Sequence, residues 1–422
     1  MNAAPREAHA LLAQTVRSER RALLRGLASR TGRAGLAEDA LGQAIVEAAE
    51  SWPRTGAPDN PAGWLATAAR RRLLDAIRSE QALRDRAPLL AGPVTAPGPE
   101  ERLLHELPGE RHDERLPQLF MVAHPELSGA SRAALGLRLV LGVPTELVAR
   151  LLLAPVPAVA ARNTRAKHRL RSRAGGLRPA PGAWPGRAPD AARILLLGFT
   201  AGSAPTGGRV LDRAASARAV RLALLAHRAL PREPVLRALA ALLLLQHSRR
   251  DARVDAAGRI VTLAEQDRAA WRRDEIEAGL RLLRGVPEQT TGFAEELHLQ
   301  ALVAAEHARA ATAAETDWAA VASLYARLER LTGSPLVRLN RAIALAEAAG
   351  PYAGLALLPG VERKLPGHHR TALAAAEMLR RAGEREASGL AYRAALDASP
   401  PEAERAHIQR RLAGLDEGAG AG

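Results

Sequence analysis

The 422-residue sequence contains no cysteine, which excludes disulfides, thiolate metal sites and a cysteine nucleophile. Aromatic residues supply only 3% of it and β-branched residues are sparse, a poor basis for strands. No apolar run reaches the roughly 20 residues a membrane-spanning helix needs. Residues Met1 to Arg25 carry charges throughout and lack the apolar core of a signal peptide, so no membrane role and cytoplasmic residence are expected. No compact set of nucleophile, base and electrophile is present. His368 and His369 are adjacent, so on a helix they point about 100° apart and make a poor metal pair. His298 and His307, nine residues apart, read as structural histidines. No glycine-rich phosphate loop ending in Gly-Lys-Ser or Gly-Lys-Thr occurs. The expectation is a protein that is not an enzyme and uses no metal or cofactor.

What the sequence does have is alanine and leucine, within a hydrophobic share of 47%, a mixture that favours helices. An all-α fold is expected, and the length exceeds one compact core. The net charge of +15 makes a polyanionic partner plausible. The charge is concentrated: Glu126 to Arg178 holds ten Lys or Arg against two acids, mostly from Arg162 onward. From Pro179 onward acids and bases are closer to balance, so counterion-release capacity belongs to the N-terminal half.

Two segments rich in Pro and Gly interrupt the helical periodicity, one around GPVTAPGPE and ELPGE, the other reading AGGLRPAPGAWPGRAPD. They divide the chain into a domain over 1–90, a linker over 91–114, a small domain over 115–176, a linker over 177–190, a large domain over 191–415 and a tail over 416–422. In the large domain RAIALAEAAGPYAGLALL is echoed by AAAEMLRRAGEREASGLAYRAAL. Each is a helix, a Gly-containing turn and a second helix, and the turn glycines Gly350 and Gly383 approach the spacing of about 34 residues seen in tetratricopeptide repeats.

In Trp52 to Arg78 a Pro/Gly/Asn loop leads into an amphipathic helix. Leu65, Ala69, Leu73 and Ala76 fall on one face, while Arg70, Arg71, Arg72 and Arg78 project elsewhere. A cationic helix beside a loop can hold phosphates and accept a base swung out of a duplex; a solvated charged helix is the bland alternative. The segment WLATAARRRLLDAIR resembles the region 2 helix of extracytoplasmic-function sigma factors, and LAEDALGQAIVEAAESW is similar to the helix by which that family docks on the clamp coiled coil of the largest polymerase subunit. The resemblance implies core-polymerase contacts at Glu38, Asp39, Leu41 and Gln43, and minus-ten contacts at Asp59, Asn60, Trp64, Arg70, Arg71, Arg72 and Arg78. Where the family has Gln and then an acid, this chain has Gly42 and Gln43.

The small domain reads as a helix-turn-helix, with helices over Arg132 to Leu141, Pro144 to Leu152 and onward from about Pro157, which suits the first turn of the last helix. In the major groove Arg162 and Arg165 can pair with guanine and Asn163 with adenine, while Lys167, Arg169, Arg171 and Arg173 grip phosphate. The module resembles sigma region 4, which reads the minus-thirty-five element and meets the polymerase flap. Ala158 and Ala161 stand where relatives carry polar side chains, so upstream discrimination is expected to be modest.

The stretch LRALAALLLLQHSRRDARVDAAGRIVTLAEQDRAAW is close to one diagnostic of the subgroup of sigma factors with a C-terminal tetratricopeptide-like extension, as is TDWAAVASLYARLERLTGSPLVRLNRAIALAEAAGP. Subgroup members carry an Asn-Glu-Gly-Tyr sequence after the second linker, where this chain has LLLGFTAGS. The polar turn DAAGRI lies among Arg249, Arg250, Arg253, Glu265, Asp267 and Arg268, a mixed-sign cluster that is either a contact surface or a buried ionic knot. The resemblance implies regulatory or interaction roles for Asp255, Gly258 and Asp267, and modulation of activity in cis, without need of a separate anti-sigma partner. The partners implied are polymerase core and promoter DNA. The competing reading is a sigma-like DNA-binding regulator or repeat scaffold that no longer supports initiation.

Overall fold

A computed structural model describes residues 4–28, 34–86, 99–107, 113–171, 181–203, 213–255, 259 and 261–417. Gly258 and Arg173, and the side chains of Asp39, Ala76, Arg78 and Arg171, lie outside the described residues. Among those described, the chain is helical. Its one sheet-like feature is a short hairpin in which Asp255 N–H donates to the Arg259 carbonyl and Val261 N–H to the Arg253 carbonyl, each at 3.0 Å. The all-α expectation holds. Two compact units divide it, Met1–Ala96 and Pro97–Gly422.

The first unit is a bundle of α1 (Ala4–Ala28), α2 (Ala34–Thr55) and α3 (Pro61–Arg86). Alanines at helical spacing on α2, Ala37, Ala40, Ala44 and Ala48, are buried and let neighbouring helices approach closely. Leu12, Leu41, Trp52, Leu65 and Leu73 fill the remaining core. α2 stops at Gly56, whose φ of 87° is open to glycine at no steric cost; its N–H donates to the Trp52 carbonyl at 3.0 Å.

The second unit begins with α4 (Pro99–Glu106), α5 (Arg115–Val122), α6 (Gly129–Leu139), α7 (Thr145–Leu151) and α8 (Val156–Arg171). Next come α9 (Ala188–Ser203), α10 (Arg213–Ala229), α11 (Pro234–His247), α12 (Arg273–Arg284) and α13 (Gly292–Arg309). α11 is buried almost all round, from Val235 to His247, as a helix enclosed by neighbours must be; it packs on α9, α10, α12 and α13. At its end His247 Nδ1 meets Glu275 of α12 at 2.9 Å, and Arg250 reaches the same carboxylate at 2.8 Å. Both His247 and Glu275 are 2% exposed, so this network pins α11 to α12 inside the core.

The structure differs from the sequence expectation in the two segments read as linkers. Residues 99–106 form α4, because Leu103 and Leu107, at i and i+4, give this stretch an apolar face that the core takes up. In the second segment Trp184 stacks on Phe120 with ring centroids 4.4 Å apart. One hydrophobic core consequently runs from Leu103 to Ala305, through α6, α7 and α8 and on into α9 to α13. Glycines let it close: a Cβ on Gly136 of α6 would lie 2.6 Å from Ile194 of α9, and one on Gly198 of α9 2.0 Å from Leu141.

The unit continues through α14 (Trp318–Thr332), α15 (Pro335–Ala349), α16 (Pro351–Leu355), α17 (Leu358–Glu362), α18 (His369–Arg381), α19 (Arg385–Asp397) and α20 (Glu402–Glu417). Sequence neighbours pack in turn, α14 on α15, α18 on α19 and α19 on α20, over small separate cores. The two turn glycines adopt positive φ, 96° at Gly350 and 84° at Gly383. After Gly350 the second helix is split into α16 and α17, since Pro359 lacks the N–H that a continuous helix would use.

Candidate nucleic-acid interface

In the first unit the loop before α3 is held by Asn60. Its Oδ1 accepts the Gly63 N–H at 2.9 Å and its carbonyl accepts the Trp64 N–H at 3.0 Å, an N-cap that satisfies two donors of the first turn. Trp64 is half-buried against the bundle and meets Trp52 edge-on, with centroids 5.6 Å apart and planes at 77°. Asp59 and Asn60 are exposed at the helix entrance. Beyond them Arg70, Arg71 and Arg72 are all exposed on α3. Arg71 and Arg72 are aimed by a residue the sequence reading did not include: Glu47 of α2 accepts from Arg71 at 3.0 Å and Arg72 at 2.9 Å. The Arg72 hydrogen bond, with the charges of Arg72 and Arg71, holds the Glu47 carboxyl below its usual range against the opposing effect of burial. Nothing local flags Glu47, because its partners are 24 and 25 residues away.

Of the positions implied to bind polymerase, Glu38 and Gln43 are exposed, and Glu38 pairs with Arg20 at 2.8 Å. Leu41 departs from that expectation. It is 2% exposed and belongs to the bundle core, because Leu41, Ala44, Ala48 and Trp52 share the inward face of α2. Val46, 57% exposed, is a large apolar side chain that α2 does present.

In the second unit α6, α7 and α8 occupy the segment read from the sequence as a helix-turn-helix. Ser128 caps α6 by accepting the Ser131 N–H, and Pro157 sits in the first turn of α8. Between α7 and α8 Leu153 takes a positive φ of 49° and is 94% exposed. On α8 Val159, Asn163, Ala166 and Leu170 face inward, while Ala158, Ala161, Thr164, Arg165, His168 and Arg169 face out. Arg162 and Lys167 lie half-buried at the border. Asn163 therefore corrects the reading that gave it an adenine: it is 7% exposed and its Oδ1 is buried without a hydrogen-bond partner. Helical periodicity puts it on the same stripe as Val159 and Leu170.

Two arginines fasten the module to the neighbouring part of the second unit. Arg132 of α6 pairs with Asp190 of α9 at 3.0 Å, and the Arg187 guanidinium donates to the Phe120 carbonyl at 2.8 Å. Neither was legible as a fastener, since their partners are remote in sequence.

At the segment implied to be regulatory, Asp255 accepts from Arg259 through both its backbone N–H (2.9 Å) and its guanidinium (2.6 Å), fixing the hairpin. Asp267 caps a short turn by accepting the Ala269 N–H at 2.9 Å. Glu265 instead pairs with Arg411 of α20 at 2.8 Å, and Arg268 donates to the His307 carbonyl. Within this cluster Asp255 is held by Arg259, Asp267 caps its turn and Glu265 pairs with Arg411, so none of the three is the partner of Arg249.

No helix among the described residues is long and apolar enough to cross a membrane. No group of three or more His, Asp or Glu among them is placed to hold a metal ion.

Residues 15–83, which span most of the three-helix bundle, match sigma-70 region 2. Residues 187–287, from the end of the second Pro-rich segment through α12, match a family of unknown function, DUF6596. An uncharacterized protein of Rhizobium meliloti (strain 1021) is 34% identical over 400 residues, covering 89% of this chain and 89% of its own length. No solved structure matches. The bundle that presents the arginines of α3 is thus a sigma region 2 followed by a DUF6596 segment, and the chain belongs to the sigma-70 family as a member with a C-terminal helical extension.

Proposed function

We propose that this chain is a sigma factor of the extracytoplasmic-function type that brings core RNA polymerase to promoters in the cytoplasm and supports initiation there. The observation that carries the reading is the region 2 match on a bundle whose α3 exposes Arg70, Arg71 and Arg72 beside the Asn60-capped loop. In this reading Glu38, Asp39 and Gln43 meet the polymerase clamp, with Leu41 supporting that helix from within. Asp59, Asn60, Trp64 and the arginines Arg70, Arg71, Arg72 and Arg78 take the opened minus-ten strand. The second module serves as region 4, with Arg162 and Arg165 toward base edges and Lys167, Arg169 and Arg171 toward phosphates. Exposed methyl groups at Ala158 and Ala161 cannot read a donor and acceptor pattern, which leaves upstream recognition leaning on the backbone. The extension, with its tetratricopeptide-like helical hairpins and the Asp255 hairpin, modulates activity in cis.

Run-off transcription with purified core polymerase tests this. A sigma factor restores initiation from its own promoter. Binding to DNA or to core without transcript would instead mark a sigma-like regulator or scaffold.

A further inference from the structure

The extension carries a half-open cavity of about 990 Å³, lined by α9, the end of α11 and the residues Arg253 and Val261 on one side and by α15, α18 and α20 on the other. Its wall carries six arginines and three glutamates. The glutamates are all engaged: Glu347 with Arg381, Glu377 with Arg380 at 3.1 Å and Arg411 at 3.3 Å, and Glu404 with Arg370 at 2.6 Å. These pairs account for four of the six arginines.

Arg249 stands apart. Its side chain makes no hydrogen bond or ion pair among the described residues. Burial, then the neighbouring charge of Arg253, lowers its pKa to about 10 against the opposing effect of the Tyr325 phenol. A half-buried guanidinium without a carboxylate partner, lining a cavity, is placed to pair with an anion that enters it. Its planar fork suits the two oxygens of a carboxylate or phosphate. The same cavity has an apolar side, with Leu339, Leu373 and Met378 beside Ile343, which is 39% exposed. Its volume falls in the range of small-molecule sites, on the order of 300–1,000 Å³.

We propose that this cavity binds a small organic anion, its carboxylate or phosphate pairing with Arg249 and its apolar body lying against Leu339, Ile343 and Met378. The Asp255 hairpin forms part of the wall, so the ligand contacts the segment to which the family resemblance gives a regulatory role. The site goes beyond the transcription reading and stands or falls without it, since binding is measured in the absence of polymerase and DNA.

The experiment is titration calorimetry of the full chain with octanoate, phenyl phosphate and the neutral octanamide. One or both anions should bind at a single site, and the arm that binds identifies the head group. Octanamide should bind at least tenfold more weakly than octanoate. Arg249→Gln should lose at least tenfold in affinity while Arg249→Lys keeps part of it, and Ile343→Asp on the opposite wall should repel the anion to a similar extent. In the ligand-free protein Arg249→Met should raise the melting temperature, because it removes an uncompensated charge. Absence of anion binding, equal binding by the Gln variant, or octanamide binding as well as octanoate would overturn the proposal. So would loss of cooperative unfolding in the Arg249 variants, which would make the guanidinium a structural group.

Discussion

Arg221 of α10 lies 3.8 Å from Asp113, and each side chain is only 3% exposed. The same guanidinium donates to the carbonyl of Leu104 and, at 3.1 Å, to that of Leu107, while Asp113 is also held by Arg115 at 2.6 Å. A single arginine of the extension thus fastens the segment that leads into α5 and α6. The arrangement explains how a stretch expected to be linker becomes part of a continuous core.

Replacing Arg221 leaves the Leu104 and Leu107 carbonyls without their donor, while Asp113 keeps Arg115. Arg221→Met is expected to destabilise the second unit by about 1–3 kcal/mol, measured by urea unfolding of the full chain. A change below about 1 kcal/mol would show that the pair does not anchor this segment.

Asn60 holds the start of α3 through the Gly63 N–H. Asn60→Ala should cost about 1 kcal/mol, and Asn60→Asp should keep most of the cap. Gly63→Ala should act like the loss of Asn60, because its Cβ would sit 2.7 Å from the Asn60 side-chain nitrogen. Thermal denaturation of the three variants checks this, with the ranking as the decisive result.

Arg165 and Arg169 both face outward on α8, with different expected partners. Arg165→Ala should weaken binding to a cognate upstream duplex while leaving non-specific duplex nearly unaffected. Arg169→Ala should weaken both alike and reduce the slope of log K against log salt by about one. Fluorescence anisotropy over a salt series separates the two; identical behaviour would remove the distinction between base and phosphate contacts.

His307 is 9% exposed, and its Nδ1 is buried without a partner. Burial, then the charges of Arg249 and Arg268, lowers its pKa from 6.5 to about 4. The unfolded chain therefore binds a proton more readily than the folded one between these values, and the contribution to stability is lost as pH falls from 6.5 toward 4. A shift of this size corresponds to roughly 3 kcal/mol at most. Substitution by Phe or Gln should flatten the pH dependence of urea midpoints in that window, and an unchanged profile would assign the acid sensitivity to other groups.

Much of the fold was legible because helical signals are local. The proline in the first turn of α8 and the periodicity of Leu65, Ala69 and Leu73 each act within a few residues. The outward arginines of α3 came from the same periodicity. Asn163 and Leu41 went astray for a related reason: composition shows that a side chain can read a base or dock on a partner, whereas only the direction of its helix face shows whether it is available. Glu47, Asp190 and Asp113 left no local trace, since each meets its arginine across a tertiary contact.

By itself the sequence determined the helical class, the placement of two cationic helices and the glycine-marked turns of the extension, all of which depend on interactions spanning one or two helical turns. Tertiary structure alone decided that α6, α7 and α8 share their core with the extension, and that Arg249 lines a cavity whose glutamates pair with other arginines. Those outcomes depend on which remote surfaces exclude water together, a quantity set by packing in three dimensions and not by the order of residues along the chain.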